Sequence, residues 1–188
     1  MPEFTHDWFS PNIPTLTTHL NRFVGKPTAM LEIGCFEGRS TCWFLDNILT
    51  HPLSDITCID TFEGSAEHKE LGVDFSDTYR RFIANVGGRA RVRRGESWDV
   101  LRSLSANHHH YQLVYVDGSH EARDVLTDMV LAWGMLERGG VMVCDDYGWD
   151  RYPEPHRNPR LAIDSFLACF TGQYKLLHCG YQVILERI

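Results

Sequence analysis

Short apolar runs alternate with segments of helical period along most of this 188-residue chain. Ala29–Ile33, Ile56–Asp60, Ala90–Arg93, Leu113–Asp117 and Val141–Asp145 have the length and aliphatic content of buried strands. Between them Phe75, Tyr79, Phe82 and Val86 recur every three or four residues, as do Val125, Met129, Trp133 and Leu136, the spacing of one helix face. Gly139-Gly140 is expected to stop the second of these helices and turn the chain into the next strand. The last part differs: Ala162–Phe170 reads as a helix, and Tyr174–His178 and Val183–Glu186 as strands joined by a Cys179-Gly180 turn, a connection so tight that the pair must be antiparallel. The pattern predicts an α/β fold: a doubly wound, mostly parallel seven-stranded sheet covered by helices and closed by an antiparallel C-terminal hairpin. A single domain over 1–188 is expected, with 1–25 as an N-terminal helix and lid segment and 147–159 as a loop beside the site.

With 43% apolar residues the chain can fill one substantial core. A net charge of −7 argues against a phosphate-neutralising surface and so against nucleic acid; Arg89, Arg91, Arg93 and Arg94 read as a solvated strand edge. Six cysteines stand singly in apolar contexts, without zinc-site spacing or disulfide density, and read as reduced core thiols. His108-His109-His110 falls in an expected loop and reads as solvated. No apolar run reaches membrane-spanning length, and Met1-Pro2-Glu3-Phe4 lacks the plan of a signal peptide, so a cytoplasmic protein off the membrane is expected.

The chemistry starts at residues 29–41, Ala-Met-Leu-Glu-Ile-Gly-Cys-Phe-Glu-Gly-Arg-Ser-Thr. An apolar run ends in Glu32, and a turn marked by Gly34, Glu37 and Gly38 opens a helix carrying Ser40 and Thr41. Gly34 lets backbone approach a ligand, and the helix start aims free N–H groups at an anionic group. The spacing is E-x-G-x-x-x-G rather than the dinucleotide G-x-G-x-x-G, and the acid before the turn suits a ligand with a charged amine. S-adenosylmethionine, an amino acid joined to a nucleoside, meets both conditions.

Ligands of open α/β sheets collect beyond the carboxyl ends of the strands. There Asp60 is placed to accept ribose hydroxyls, Thr61 and Phe62 follow it, and Phe62 is expected to cover one adenine face. Glu96, Ser97 and Trp98 form a turn that reaches the adenine edge and its other face. Singly, strand-end acids also cap helices, and a Phe after a strand is ordinarily core; together they favour the cofactor. Val116-Asp117-Gly118-Ser119-His120 ends the fourth strand and Cys144-Asp145-Asp146-Tyr147 the fifth, so Asp117, Asp145 and Asp146 are expected to converge and to need a cation, for which Mg²⁺ with its all-oxygen preference is the candidate. The alternative is that Asp117 touches only the cofactor while Asp145 and Asp146 cap a loop. His120, three residues beyond Asp117, is expected on the first turn of the next helix, with an imidazole suited to accept a proton near neutral pH.

On these motifs the chain resembles the class I S-adenosylmethionine-dependent methyltransferases, in the branch of the metal-dependent antibiotic sugar O-methyltransferases of the mycinamicin and novobiocin type. The resemblance implies the Rossmann-like methyltransferase fold, Mg²⁺ on Asp117, Asp145 and Asp146, and a catalytic base at His120, where similar catechol-methylating enzymes carry a lysine. His120 and Asp117 are thereby assigned to the reaction. The implied function is Mg²⁺-assisted O-methylation of a hydroxyl, above all of a sugar or glycan. The chain is shorter than those antibiotic enzymes, which leaves the acceptor open between a small molecule and the end of a glycan, and a homo-oligomer is not excluded. Trp8, Tyr147 and Trp149 are the aromatic candidates for acceptor contact, although Trp8 and Trp149 would serve equally as core packing. A cephalosporin-hydroxylase-like enzyme and a non-catalytic S-adenosylmethionine-binding module are the competing readings.

Overall fold

A computed structural model of the protein describes residues 2–65, 68, 70 and 72–188. After a short N-terminal segment come α1 (Ile13–Leu20), β1 (Ala29–Ile33), α2 (Arg39–Asn47), β2 (Asp55–Asp60), α3 (Thr78–Val86), β3 (Arg91–Arg94), α4 (Ser97–Ala106), β4 (Tyr111–Val116), α5 (Ala122–Met135), β5 (Leu136–Cys144), α6 (Pro159–Cys169), β6 (Tyr174–Cys179) and β7 (Val183–Arg187). The strands form one seven-stranded sheet in the order β3-β2-β1-β4-β5-β7-β6. β1 to β5 pair in parallel; β7 pairs antiparallel with both β5 and β6 and so lies between them. The strand order reverses between β1 and β4, which opens a crevice beyond their carboxyl ends.

Strand alternation divides the core in two. Leu31, Ile33, Val114, Val116, Met142 and Cys144 pack with Leu101 of α4, Met129 and Trp133 of α5, and Ile163 and Phe166 of α6. Met30, Leu113, Tyr115, Val141 and Val143 face the other way, onto Leu16 and Leu20 of α1, Phe44 of α2 and Phe82 and Val86 of α3. Among the described residues no helix is long and apolar enough to cross a membrane.

Several boundaries move. α3 starts at Thr78, leaving Phe75 in the turn before it. α5 ends at Met135, and Leu136 already takes extended backbone and pairs with Tyr111, so Gly139 and Gly140 lie inside β5. They bend that strand rather than separate it from the helix: Gly139 has φ +77°, and a Cβ at Gly140 would meet Gln112 O at 3.0 Å.

Candidate active site

The crevice is a cavity of about 1620 Å³. Its first wall is the turn after β1. Gly34 has φ +80°, and a Cβ there would lie 1.9 Å from the backbone oxygen of Asp117, so only glycine lets this turn rest on the end of β4. Asp60, the last residue of β2, fixes the same turn: Oδ2 accepts the N–H groups of Cys35 and Phe36 at 2.8 Å each, and Oδ1 accepts that of Phe62 at 2.7 Å. Thr61, Glu96, Ser97 and Trp98 continue the wall, with Gly95 N–H bonded to Asp60 O at 3.0 Å.

The second wall lies beyond β4 and β5, where Asp117, Asp145 and Asp146 all face the cavity. Burial, then the charges of Asp145 and Asp146, push the Asp117 carboxyl well up; burial and the Asp146 charge push Asp145 up to about 6. Asp145 is held by protein donors: Gln182 Nε2 at 2.8 Å and the Tyr115 hydroxyl on Oδ2, the Asp146 N–H at 2.8 Å on Oδ1, and Asn12 Nδ2 at 3.2 and 3.3 Å. Asp146, with φ +59°, accepts the Tyr181 hydroxyl on Oδ1 and pairs through Oδ2 with His120 Nε2, each at 2.8 Å. The His120 ring stacks on Trp149 with centroids 4.3 Å apart. Across the mouth, Trp8 stacks on His6 and His68 and touches Phe36.

Of the residues expected at the cofactor, Gly34, Ser40, Asp60, Thr61, Glu96, Ser97, Trp98 and Asp117 line the cavity, whereas Glu32, Glu37, Gly38, Thr41 and Phe62 stand behind it. Alternation explains Glu32: it shares the strand face of Met30, under α2, where it accepts the hydroxyls of Ser40 and Thr41 at 2.5 Å and burial pushes it up to about 7. Thr41 is thereby turned inward. Glu37 is also buried; it accepts the Thr5 N–H at 2.6 Å and hydroxyl at 2.8 Å and pairs with Arg81 at 3.3 Å, tying down the N-terminal segment. Gly38 ends the turn at the start of α2, where a Cβ would meet Val86 at 2.8 Å. Phe62, at φ +61°, buries its ring on Tyr79 and Phe82, so it does not cover the cavity.

The other corrections concern the chemical end. His120 lies in the loop ahead of α5, which starts at Ala122, yet still lines the cavity. The three aspartates converge, but among the described residues no group of three or more His, Cys, Asp and Glu side chains is arranged to hold a metal, because Asp145 is turned to Tyr115 and Gln182 and Asp146 to His120 and Tyr181. Trp8 and Trp149 line the cavity; Tyr147 does not, since its hydroxyl reaches Asp164 at 3.0 Å with Arg160 over its ring. The sequence reading missed Asn12, Tyr115, Tyr181, Gln182 and Asp128. Only Tyr115 left a signal there, two positions before Asp117 on the same strand face.

The family described as "Methyltransferase domain" matches residues 31–147. The O-methyltransferase hkm8 of Aspergillus hancockii is 26% identical over 135 residues, covering 68% of this chain and 46% of that protein. The methyltransferase MycE of mycinamycin biosynthesis, solved with Mg and SAH, aligns over 97% of this chain and 51% of its own with a TM-score of 0.68 and 16% identity. An O-methyltransferase from Bacillus cereus, solved with SAH, aligns over 98% of this chain and 84% of its own with a TM-score of 0.67 and 16% identity. CalS11, a TDP-rhamnose 3'-O-methyltransferase of calicheamicin biosynthesis, aligns over 95% and 80% with a TM-score of 0.60 and 19% identity. The chain thus spans about half the length of hkm8 and of MycE. The structural likenesses are likenesses of fold.

Proposed function

This chain belongs to the methyltransferase-domain family, and from that premise we propose that it moves the methyl group of S-adenosylmethionine to a hydroxyl oxygen, the acceptor being a sugar or glycan. The observation that carries the reading is the 2.8 Å His120–Asp146 pair, set in the same cavity as the Gly34 turn and Asp60. A hydroxyl is a weak nucleophile until it loses its proton, and a histidine oriented by a carboxylate is suited to take it. The Asp146 carboxylate on one ring nitrogen orients the imidazole for that step. As the C–O bond forms, the C–S bond breaks, its electrons go to sulfur, and the sulfonium becomes a neutral thioether. Asp146 steadies the resulting imidazolium. Trp8 and Trp149 supply flat apolar faces of the kind that sugars stack on. The sugar acceptor also draws on the activity in the name of CalS11.

The cofactor reading places the amino-acid end by Gly34 and Ser40, the ribose by Asp60, and the adenine by Thr61, Glu96, Ser97 and Trp98. Asp117 lies between the two walls. A divalent cation would fit the second wall by charge, because the charges of Asp145 and Asp146 raise the proton affinity of Asp117 and that of Asp146 raises Asp145, which a positive ion would relieve. Asp117, Asp145 and Asp146 would hold Mg²⁺, which supplies Lewis-acid polarisation of the acceptor oxygen when bound. The test is transfer of labelled methyl from S-adenosylmethionine to a panel of free and nucleotide-linked sugars, with and without EDTA. Transfer that stops in EDTA and returns with Mg²⁺ is expected; full transfer in EDTA removes the ion, and no transfer to any hydroxyl overturns the O-methylation reading.

A further inference from the structure

Asp128 of α5 has no place in the reaction described so far, yet it is a buried carboxylate at the cavity wall. It is 2% exposed, it lines the cavity, and its Oδ1 accepts no hydrogen bond from any described residue. A buried carboxylate oxygen without a donor is costly, so such an atom at a cavity wall points to a donor on whatever fills the cavity. Its neighbours narrow the chemistry. Ser97 and Gly118 lie against it. Ser97 opens α4, and the first intrahelical bond there runs from the Val100 N–H to Glu96 O at 3.2 Å, so the N–H groups of Ser97 and Trp98 have no helical partner. That end of the cavity therefore presents backbone donors beside a lone acceptor.

An adenine ring carries the complement on one edge: an acceptor nitrogen beside the N–H of an exocyclic amine. A 6-oxo purine carries the reverse, a ring N–H beside a carbonyl. We infer that Asp128 is a specificity-determining residue, accepting the exocyclic N–H of the cofactor's adenine while the ring nitrogen faces the first N–H groups of α4. The inference rests on the S-adenosyl reading above and adds how that site separates adenine from other purines. Electrostatics agree. Burial, Asp124 and Glu96 push Asp128 up to about 7, against the help of Ser97, and an amine donor favours the charged form. The other charged groups lining this end are Arg102 of α4, Arg123 on its own helix and Asp117 beyond β4.

The test compares two ligands that differ only at the purine 6-position, S-adenosyl-L-homocysteine and S-inosyl-L-homocysteine, by calorimetry. Wild-type protein should prefer the 6-amino ligand by about tenfold or more near pH 8, the scale of a site built to receive a hydrogen bond and denied it. Asp128→Asn, whose amide can turn an N–H toward a 6-oxo group, should bring the two within about threefold of each other with its unfolding temperature kept. A second measurement needs no variant. The wild-type preference should shrink as pH falls from about 8 to about 6, because protonated Asp128 can itself donate to the carbonyl. A folded Asp128→Asn protein that keeps the full preference, or a wild-type preference flat across that range, overturns the inference alone. Binding of neither ligand by wild-type protein overturns the S-adenosyl reading and this inference with it.

Discussion

On the side of β1 and β2, Asp60 and Glu32 are engaged by the protein itself. Asp60 accepts three backbone N–H groups, and Glu32 accepts two hydroxyls at the start of α2. Beyond β4 and β5, Asp117, Asp145 and Asp146 face one cavity; Asp117 is raised by burial and by the charges of Asp145 and Asp146, and Asp145 by burial and the charge of Asp146. The first wall is a scaffold held by its own hydrogen bonds. The second holds charge that a cation, bound there as proposed, would relieve. On the proposed function the difference separates what would position a cofactor from what would drive a proton transfer, and substitutions on the two sides should therefore fail in different ways.

The largest effect is expected on the scaffold side. Gly34→Ala would set a Cβ 1.9 Å from the backbone oxygen of Asp117. Neither chain can yield cheaply, so a loss of about 4 kcal/mol is expected, with an unfolding temperature lower by roughly 10 °C. An unchanged melting curve would show that the turn is not wedged against β4. On the charged side, His120→Ala should lower kcat/KM by about 10² to 10⁴ while leaving S-adenosylhomocysteine affinity and stability intact. A smaller loss would move the base to Asp145, Asp146 or a water. Asp117→Asn should do the opposite of most core substitutions, raising the unfolding temperature of the unliganded protein by an amount worth about 1 to 2 kcal/mol near pH 8 while abolishing turnover. Destabilisation there would mean that Asp117 is a structural acceptor and not a repelled charge.

The pH dependence of stability sharpens the same contrast. Asp145, raised to about 6, and Glu32, raised to about 7, both bind protons more tightly folded than unfolded. Their contribution to stability is complete below the unfolded carboxylate value of about 4 and is lost as pH rises through those folded values. The unliganded protein should thus melt lower at about pH 7.5 than at about pH 5. Added Mg²⁺ should restore the loss due to Asp145 and leave that due to buried Glu32. The smallest effect expected is that of Glu32→Gln, a cost of about 1 kcal/mol in stability with little change in turnover, since the residue supports α2 from behind the wall.

The middle of the sheet was legible because β1, β4 and the second half of β5 are apolar on both faces, and Gly34, Asp60, Asp117 and His120 because they stand at or just past strand ends whose place in such a sheet is fixed by topology. What escaped depends on facing rather than order. Glu32 precedes the glycine turn by two positions, but strand alternation carries it under α2. Phe62 reads as a cofactor cover, but its positive φ swings the ring onto Tyr79 and Phe82. Asn12 and Gln182 reach Asp145 from 133 and 37 residues away, distances at which no local pattern marks a pair. The place of β7 between β5 and β6 was hidden too, since a hairpin can join the sheet by either of its strands.

The central claim is that the scaffold wall is built for S-adenosylmethionine, and calorimetric titration of S-adenosylhomocysteine into wild-type protein and Asp60→Ala tests it most directly. Wild-type protein should bind, and Asp60→Ala should bind more weakly by about 1 to 3 kcal/mol, the scale of losing charge-assisted hydrogen bonds together with the turn they hold. No binding to wild-type protein, or an affinity untouched by Asp60→Ala, would contradict the account.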